Sequence, residues 1–188
     1  MIRIAIIVGS VRPGRYSRRV AEWVFEHASR RTDATFEIVD LADHPLPHLD
    51  EPLPASAGAY ENEHTRAWAR TIAAFDGYVF VTPEYNHSFP SVLKNALDFL
   101  YTEWNNKAAG FVSYGVVGGA RAVEQLRLVA AELQLATVRS QVALSFYTDF
   151  DNFTTLAPQP GQLQALTATL DQVVAWSTAL ATLRTPTA

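Results

Sequence analysis

Residues 2 to 8 read Ile-Arg-Ile-Ala-Ile-Ile-Val and are closed by Gly9-Ser10. From Ile4 to Val8 every position is apolar, so this segment cannot be a strand with one face in water. It requires apolar cover on both sides, which is the situation of a strand in a parallel sheet sandwiched between helices. The same run is too short for the hydrophobic core of a secretory signal and lacks a cleavage pattern. The chain offers no stretch of the ~18 apolar residues that a membrane span needs, so we expect a cytoplasmic protein that makes no membrane contact.

Further along, short β-branched runs alternate with stretches of helical period. Ser17 to Ser29 predicts a helix with Val20, Trp23, Val24 and Ala28 inward, followed by a weaker strand at Thr35 to Asp40. Four prolines between Asp43 and Gly58 exclude regular helix there. Helical spacing returns at Trp68, Ile72 and Phe75, and Tyr78 to Thr82 forms a third strand that ends at Pro83. A third helix carries Pro90 in its first turn, with Leu93, Leu97, Leu100 and Tyr101 on one face. A fourth strand at Ala108 to Ser113 leads to Gly118-Gly119, which open a helix with Val123, Leu126, Ala130 and Leu133 inward. Val138, Val142, Leu144 and Phe146 alternate in a fifth strand, and Leu163, Leu166, Leu170, Val173 and Val174 mark a closing helix. Residues 1–188 are thus expected to form one α/β domain, a three-layer sandwich on a five-stranded parallel sheet of order 2-1-3-4-5.

Composition narrows the chemistry. Fifteen basic and nineteen acidic side chains leave a net charge of -4, which provides no general attraction to nucleic acid. The chain has no cysteine, which removes disulfides, thiolate metal sites and thiol nucleophiles. Redox chemistry would have to come from a cofactor. His44 and His48 lie among acids, but the interleaved prolines align no metal shell, and no metal site is expected.

In a doubly wound sheet, ligands bind beyond the carboxyl ends of the strands where the strand order reverses, here between strands 1 and 3. The loop Gly9-Ser10-Val11-Arg12-Pro13-Gly14-Arg15-Tyr16-Ser17 brings hydroxyls, guanidinium groups and backbone N–H groups to a positive helix end, as an anion cradle does. It lacks the G-x-G-x-x-G of a dinucleotide fold and the Gly-Lys-Ser/Thr of a phosphate loop. At the end of strand 3, Thr82-Pro83-Glu84-Tyr85-Asn86-His87-Ser88-Phe89-Pro90 suits a flat polar heterocycle, and Ser113 to Arg121 adds glycines that allow close backbone approach.

Three of these segments carry a resemblance. G-S-V-R-P-G-R-Y-S at residues 9–17, P-E-Y-N-H-S-F-P-S-V-L-K-N-A-L-D-F-L at 83–100 and S-Y-G-V-V-G-G-A-R-A at 113–122 are similar to the NADPH-dependent FMN reductase family, relatives of bacterial quinone, chromate and azo-dye reductases with a flavodoxin-like fold. The resemblance implies bound FMN and NADPH or NADH as electron donor. It further implies a small acceptor such as a quinone, flavin, azo compound or metal oxyanion, and a homodimer or homotetramer. By the same resemblance Ser10, Arg12, Arg15 and Ser17 would hold the FMN phosphate, while Pro83, Glu84, Tyr85, Asn86, Ser113, Tyr114 and Gly115 would line the ring and ribityl chain. No side chain is expected to act as general acid or base. The competing reading is a flavodoxin-type electron carrier serving protein partners. Of the tryptophans, Trp23, Trp68 and Trp176 are expected in the core, and Trp104 at an interface or over the flavin.

Overall fold

Alternation in the first strand decides the layers. In a computed structural model that describes residues 1–184, β1 (Ile2–Val8) sends Ile4, Ile6 and Val8 to one face of the sheet and Ala5 and Ile7 to the other, all at most 1% exposed. Both faces are covered, as the uninterrupted apolar run requires. The sheet comprises β2 (Ala34–Asp40), β1, β3 (Gly77–Pro83), β4 (Lys107–Gly115) and β5 (Leu135–Ser145) in the order β2-β1-β3-β4-β5. Every neighbouring pair is parallel. The order 2-1-3-4-5 of a flavodoxin-like sandwich is therefore realised.

One layer consists of α1 (Ser17–Ala28) and α5 (Pro160–Arg184), which pack Val20, Val24, Leu166, Leu170 and Val173 against Ile4, Ile6, Val79 and Val112. The other consists of α2 (Glu63–Ala73), α3 (Ser91–Asp98) and α4 (Ala120–Glu132), burying Trp68, Ile72, Leu93, Leu97, Val123 and Leu126 over Ile7, Phe80 and Phe111. Pro90 sits one residue before α3 as its extended cap, not inside the first turn. After β5 a small antiparallel hairpin, β6 (Phe150–Asp151) and β7 (Thr155–Leu156), precedes α5. Asp149 is buried there and accepts hydrogen bonds from the N–H groups of Ser145 and Gln159.

Two tryptophans depart from expectation. Trp176 is 45% exposed, because the buried stripe of α5 runs through Leu170, Val173, Val174 and Ser177 and residue 176 falls beside it. Trp104 lies deep in the core, 1% exposed, with its ring against Trp68, Tyr78 and Phe80 and its indole N–H donating to Leu97 O at 3.2 Å. A buried indole needs an acceptor, and the C-terminal carbonyls of α3 provide one. Trp23 is half-buried at the rim of the other layer.

Candidate functional site

Loops leaving β1, β3 and β4 meet at the carboxyl edge of the sheet. The first is anchored by Gly9, whose N–H donates to Val81 O at 2.8 Å. Buried Ser10 then shares a 3.0 Å hydrogen bond with the Tyr85 hydroxyl, and the Arg12 guanidinium lies over the Tyr85 ring, 5.9 Å from its centroid. These two contacts tie the first loop to the second. Arg15 turns its Nη2 to Asp40 at 2.7 Å, while its buried Nε has no partner. The Oγ of Ser17, a fully buried residue at the start of α1, makes no well-formed hydrogen bond and meets only the Tyr114 hydroxyl. The cap residue Tyr16 adds no side-chain bond and no acid occupies the first turn of α1. The helix's positive end is therefore open to an anion.

The second loop is a two-residue hairpin. Tyr85 and Ser88 exchange N–H to carbonyl bonds of 2.8 and 3.0 Å, and the residues between them, Asn86 (φ 51°) and His87 (φ 66°), are both left-handed. Such a turn needs positive φ at both central positions, which asparagine tolerates and histidine adopts at some strain. α4 holds it in place. Gln125 donates to His87 O at 2.9 Å and accepts from Ser88 Oγ at 2.6 Å. Glu84, with its side chain 7% exposed, accepts from the Arg121 Nε at 2.6 Å and from the Arg121 backbone N–H at 3.1 Å. Burial disfavours the Glu84 carboxylate, but the hydrogen bond and charge of Arg121 outweigh it and keep this carboxyl below its ordinary range.

In the third loop Ser113 is fully buried and donates its hydroxyl to Gly118 O at 2.6 Å, so the side chain organises the loop and faces away from the cleft. Gly118 and Gly119 have φ of 71° and 72°. A Cβ on Gly119 would stand 2.8 Å from Ser113 Cβ and 3.0 Å from Tyr114 N, so only glycine permits this turn. Tyr114 packs edge-on to Phe146, with centroids 6.0 Å apart, and Tyr16 meets the same ring at 5.8 Å. Burial pushes the Tyr114 hydroxyl up to about 12, which keeps it neutral in this aromatic floor.

The result is a cleft of about 230 Å³. Arg12, Arg15, Pro83, Glu84, Tyr85 and Tyr114 of the sequence-derived candidates line it, together with Gly14, Tyr16 and Phe146. Ser10, Asn86, Ser113 and Gly115 lie in the same loops and act there through turns and hydrogen bonds, while Ser17 opens α1 beside them. Sequence reading overlooked Phe146 as a wall, Gln125 as a brace and Asp40 as the partner of Arg15. An acid closing the apolar pair Ile38-Val39 at the strand's carboxyl end was the one available signal for Asp40. Among the described residues no three histidine or acidic side chains gather to hold a metal. His44 instead rests on Trp68, with centroids 5.0 Å apart. No helix in that range is long and apolar enough to cross a membrane.

Residues 2–149 match the family model described as NADPH-dependent FMN reductase. The chain is 46% identical over 149 residues to an NAD(P)H-dependent FMN reductase of Schizosaccharomyces pombe, spanning 78% of this chain and 74% of that one. It is 35% identical over 143 residues to a 2-hydroxy-1,4-benzoquinone reductase of a Burkholderia species, covering 71% and 73%. A flavoenzyme NAD(P)H:(acceptor) oxidoreductase from Paracoccus denitrificans superposes with a TM-score of 0.73 over 95% of this chain and 98% of that one, at 21% identity. That likeness is one of fold.

Proposed function

The chain belongs to the NADPH-dependent FMN reductase family and is an FMN-dependent NAD(P)H oxidoreductase, and from that premise we propose that the cleft between the three loops is its FMN site. The observation that carries this reading is the buried Arg15 Nε, left without a partner in the loop at the positive end of α1, with the buried Ser17 hydroxyl nearby meeting only the Tyr114 hydroxyl in poor geometry. Unsatisfied buried groups cost ~1–3 kcal/mol each, which a phosphate at this position would relieve. Arg12 lines the same cleft, and buried Ser10 lies two residues before it in the same loop. The residues therefore fit the group.

Pro83 to Asn86 and the backbone of Ser113 to Gly115 would line the ring and ribityl chain, over a floor of Tyr114, Tyr16 and Phe146. The chemistry that FMN supplies when bound is transfer of reducing equivalents from NADPH or NADH to a small quinone-type acceptor. The protein's own part is to orient and to exclude water. The hairpin braced by Gln125 and Arg121 fixes its backbone groups before any ligand arrives, and the aromatic floor keeps one side of the cleft dry. Arg121 holds Glu84 ionised, and burial holds Tyr114 in its protonated form, able to donate a hydrogen bond from its hydroxyl. We further propose one domain across residues 1–188, a cytoplasmic location and a homodimeric or homotetrameric assembly.

The test is anaerobic. Protein reconstituted with FMN should bleach on addition of NADPH or NADH and regain its colour when a benzoquinone is added. Bleaching by neither nicotinamide would return the assignment to an electron carrier, and failure to take up FMN would remove the site.

A further inference from the structure

A buried carboxylate stands beside the loop assigned to the phosphate, where an unpaired negative charge would repel that group. Asp40 ends β2 and is 5% exposed. Its Oδ1 accepts the Ala42 N–H at 3.0 Å, which fixes the carboxyl plane against the turn that follows the strand. Its Oδ2 accepts the Arg15 Nη2 at 2.7 Å, with the Arg18 Nη1 farther off at 3.6 Å. Arg15 lines the cleft, and its Nε is buried without a partner.

A guanidinium is flat, with five N–H donors in a rigid fork. Holding one terminal nitrogen on a fixed carboxylate oxygen narrows the orientations open to the plane, and with it the directions of the other N–H groups. Asp40 is itself immobilised by strand and turn, so it can impose that orientation before a ligand binds. We propose that Asp40 is a positioning residue for the cofactor phosphate: it locks the Arg15 fork so that Nε and the free terminal N–H groups are presented to the phosphate oxygens. This rests on the reading of the cleft as the FMN site. It also gives a reason for an acid beside an anion, since its charge is spent on Arg15 and the net field at the loop stays positive. The contrary arrangement, in which Asp40 draws Arg15 away from the ligand, makes the opposite prediction.

Riboflavin separates the two ideas, because it shares the ring and ribityl chain of FMN and lacks the phosphate. Dissociation constants for both would be measured by quenching of flavin fluorescence on wild type, Asp40→Asn, Arg15→Ala, Arg15→Lys and the Asp40→Asn/Arg15→Ala double variant. Wild type should prefer FMN. Asp40→Asn should shrink that preference about tenfold with riboflavin affinity unchanged, the size expected for a charge-assisted contact that loses its alignment. In the Arg15→Ala background the same substitution should shrink it no further. Arg15→Lys, which keeps a charge opposite Asp40 but has no Nε, should lose a similar share; this variant leaves Asp40 intact, and a preference that survives in it overturns the proposal even if Asp40→Asn does not fold. A wild type without preference for FMN would refute the phosphate site itself. A preference that survives or grows in Asp40→Asn, survives in Arg15→Lys, or falls equally with and without Arg15, would overturn the role of Asp40 alone.

Discussion

Raising the pH from 7 to 9 should make this protein more stable, the reverse of what alkaline conditions do to most proteins. Lys107 is responsible. Its side chain enters the core at the start of β4 and is 5% exposed. The amine donates to Ile72 O at 3.2 Å and to the Tyr78 hydroxyl at 3.0 Å. Burial, reinforced by the positive charge of Arg184, lowers its pKa from 10.5 to about 8, against the smaller opposing pull of Asp76 and Glu103. Between pH 8 and 10.5 the unfolded chain therefore holds a proton that the native state has released, and stability climbs with pH across that window. At ~1.4 kcal/mol for each tenfold step in proton affinity the full effect is ~3 kcal/mol, of which about 1 kcal/mol is recovered between pH 7 and 9. Above pH 10 the sign turns. Tyr60 and Tyr114 are pushed up to about 12 by burial, so the unfolded phenols ionise first and stability falls. Urea unfolding followed by tryptophan fluorescence at fixed FMN concentration would measure this, with Lys107→Met as control. A flat wild-type profile from pH 7 to 9, or an equal rise in Lys107→Met, would refute the reasoning.

Arg12→Ala should weaken FMN binding about tenfold or more, as judged by flavin retained on gel filtration and by titration; full retention would exclude Arg12 from the phosphate site. Gly119→Ala forces a side chain into a left-handed turn 2.8 Å from Ser113 Cβ and should cost ~2 kcal/mol or more, a fall of roughly 5 °C in Tm by calorimetry. Arg121→Ala strands the Glu84 carboxylate and should cost ~1–3 kcal/mol at pH 7. Because the folded pKa of Glu84 is depressed, the wild-type advantage is present above its ordinary 4.5 and should shrink in urea melts as pH falls below that value. Trp104→Ala should cost ~3–5 kcal/mol as a core cavity while leaving the visible spectrum of bound FMN unchanged, since this ring lies in the core and not over the cleft.

Periodicity and turn chemistry are local, and what depends on them could be read from the residues alone. The two-faced apolar run at Ile4 to Val8 demanded a covered parallel sheet. Pro83 to Leu100 and the glycine pair 118–119 marked where loops would turn, and the loop chemistry at residues 9–17 already pointed to an anion. Distances along the chain mark where that reading stopped. Asp40 reaches Arg15 across 25 positions, Gln125 reaches His87 across 38, and Lys107 reaches Ile72 across 35. No pattern in either segment of such a pair announces the other, because the meeting depends on strand order and on which helix crosses which edge. Trp104 shows the same limit: an aromatic just past a helix suits an interface as well as a core, and only the packing of α2 and α3 over β3 buried it. The residues alone called for a sheet covered on both faces and, at its switch point, a loop carrying the groups of an anion cradle. Tertiary structure decided which charges are paired, which are left open to a ligand and which are sealed inside, because a charge is tolerated or costly according to neighbours that only the folded chain brings together.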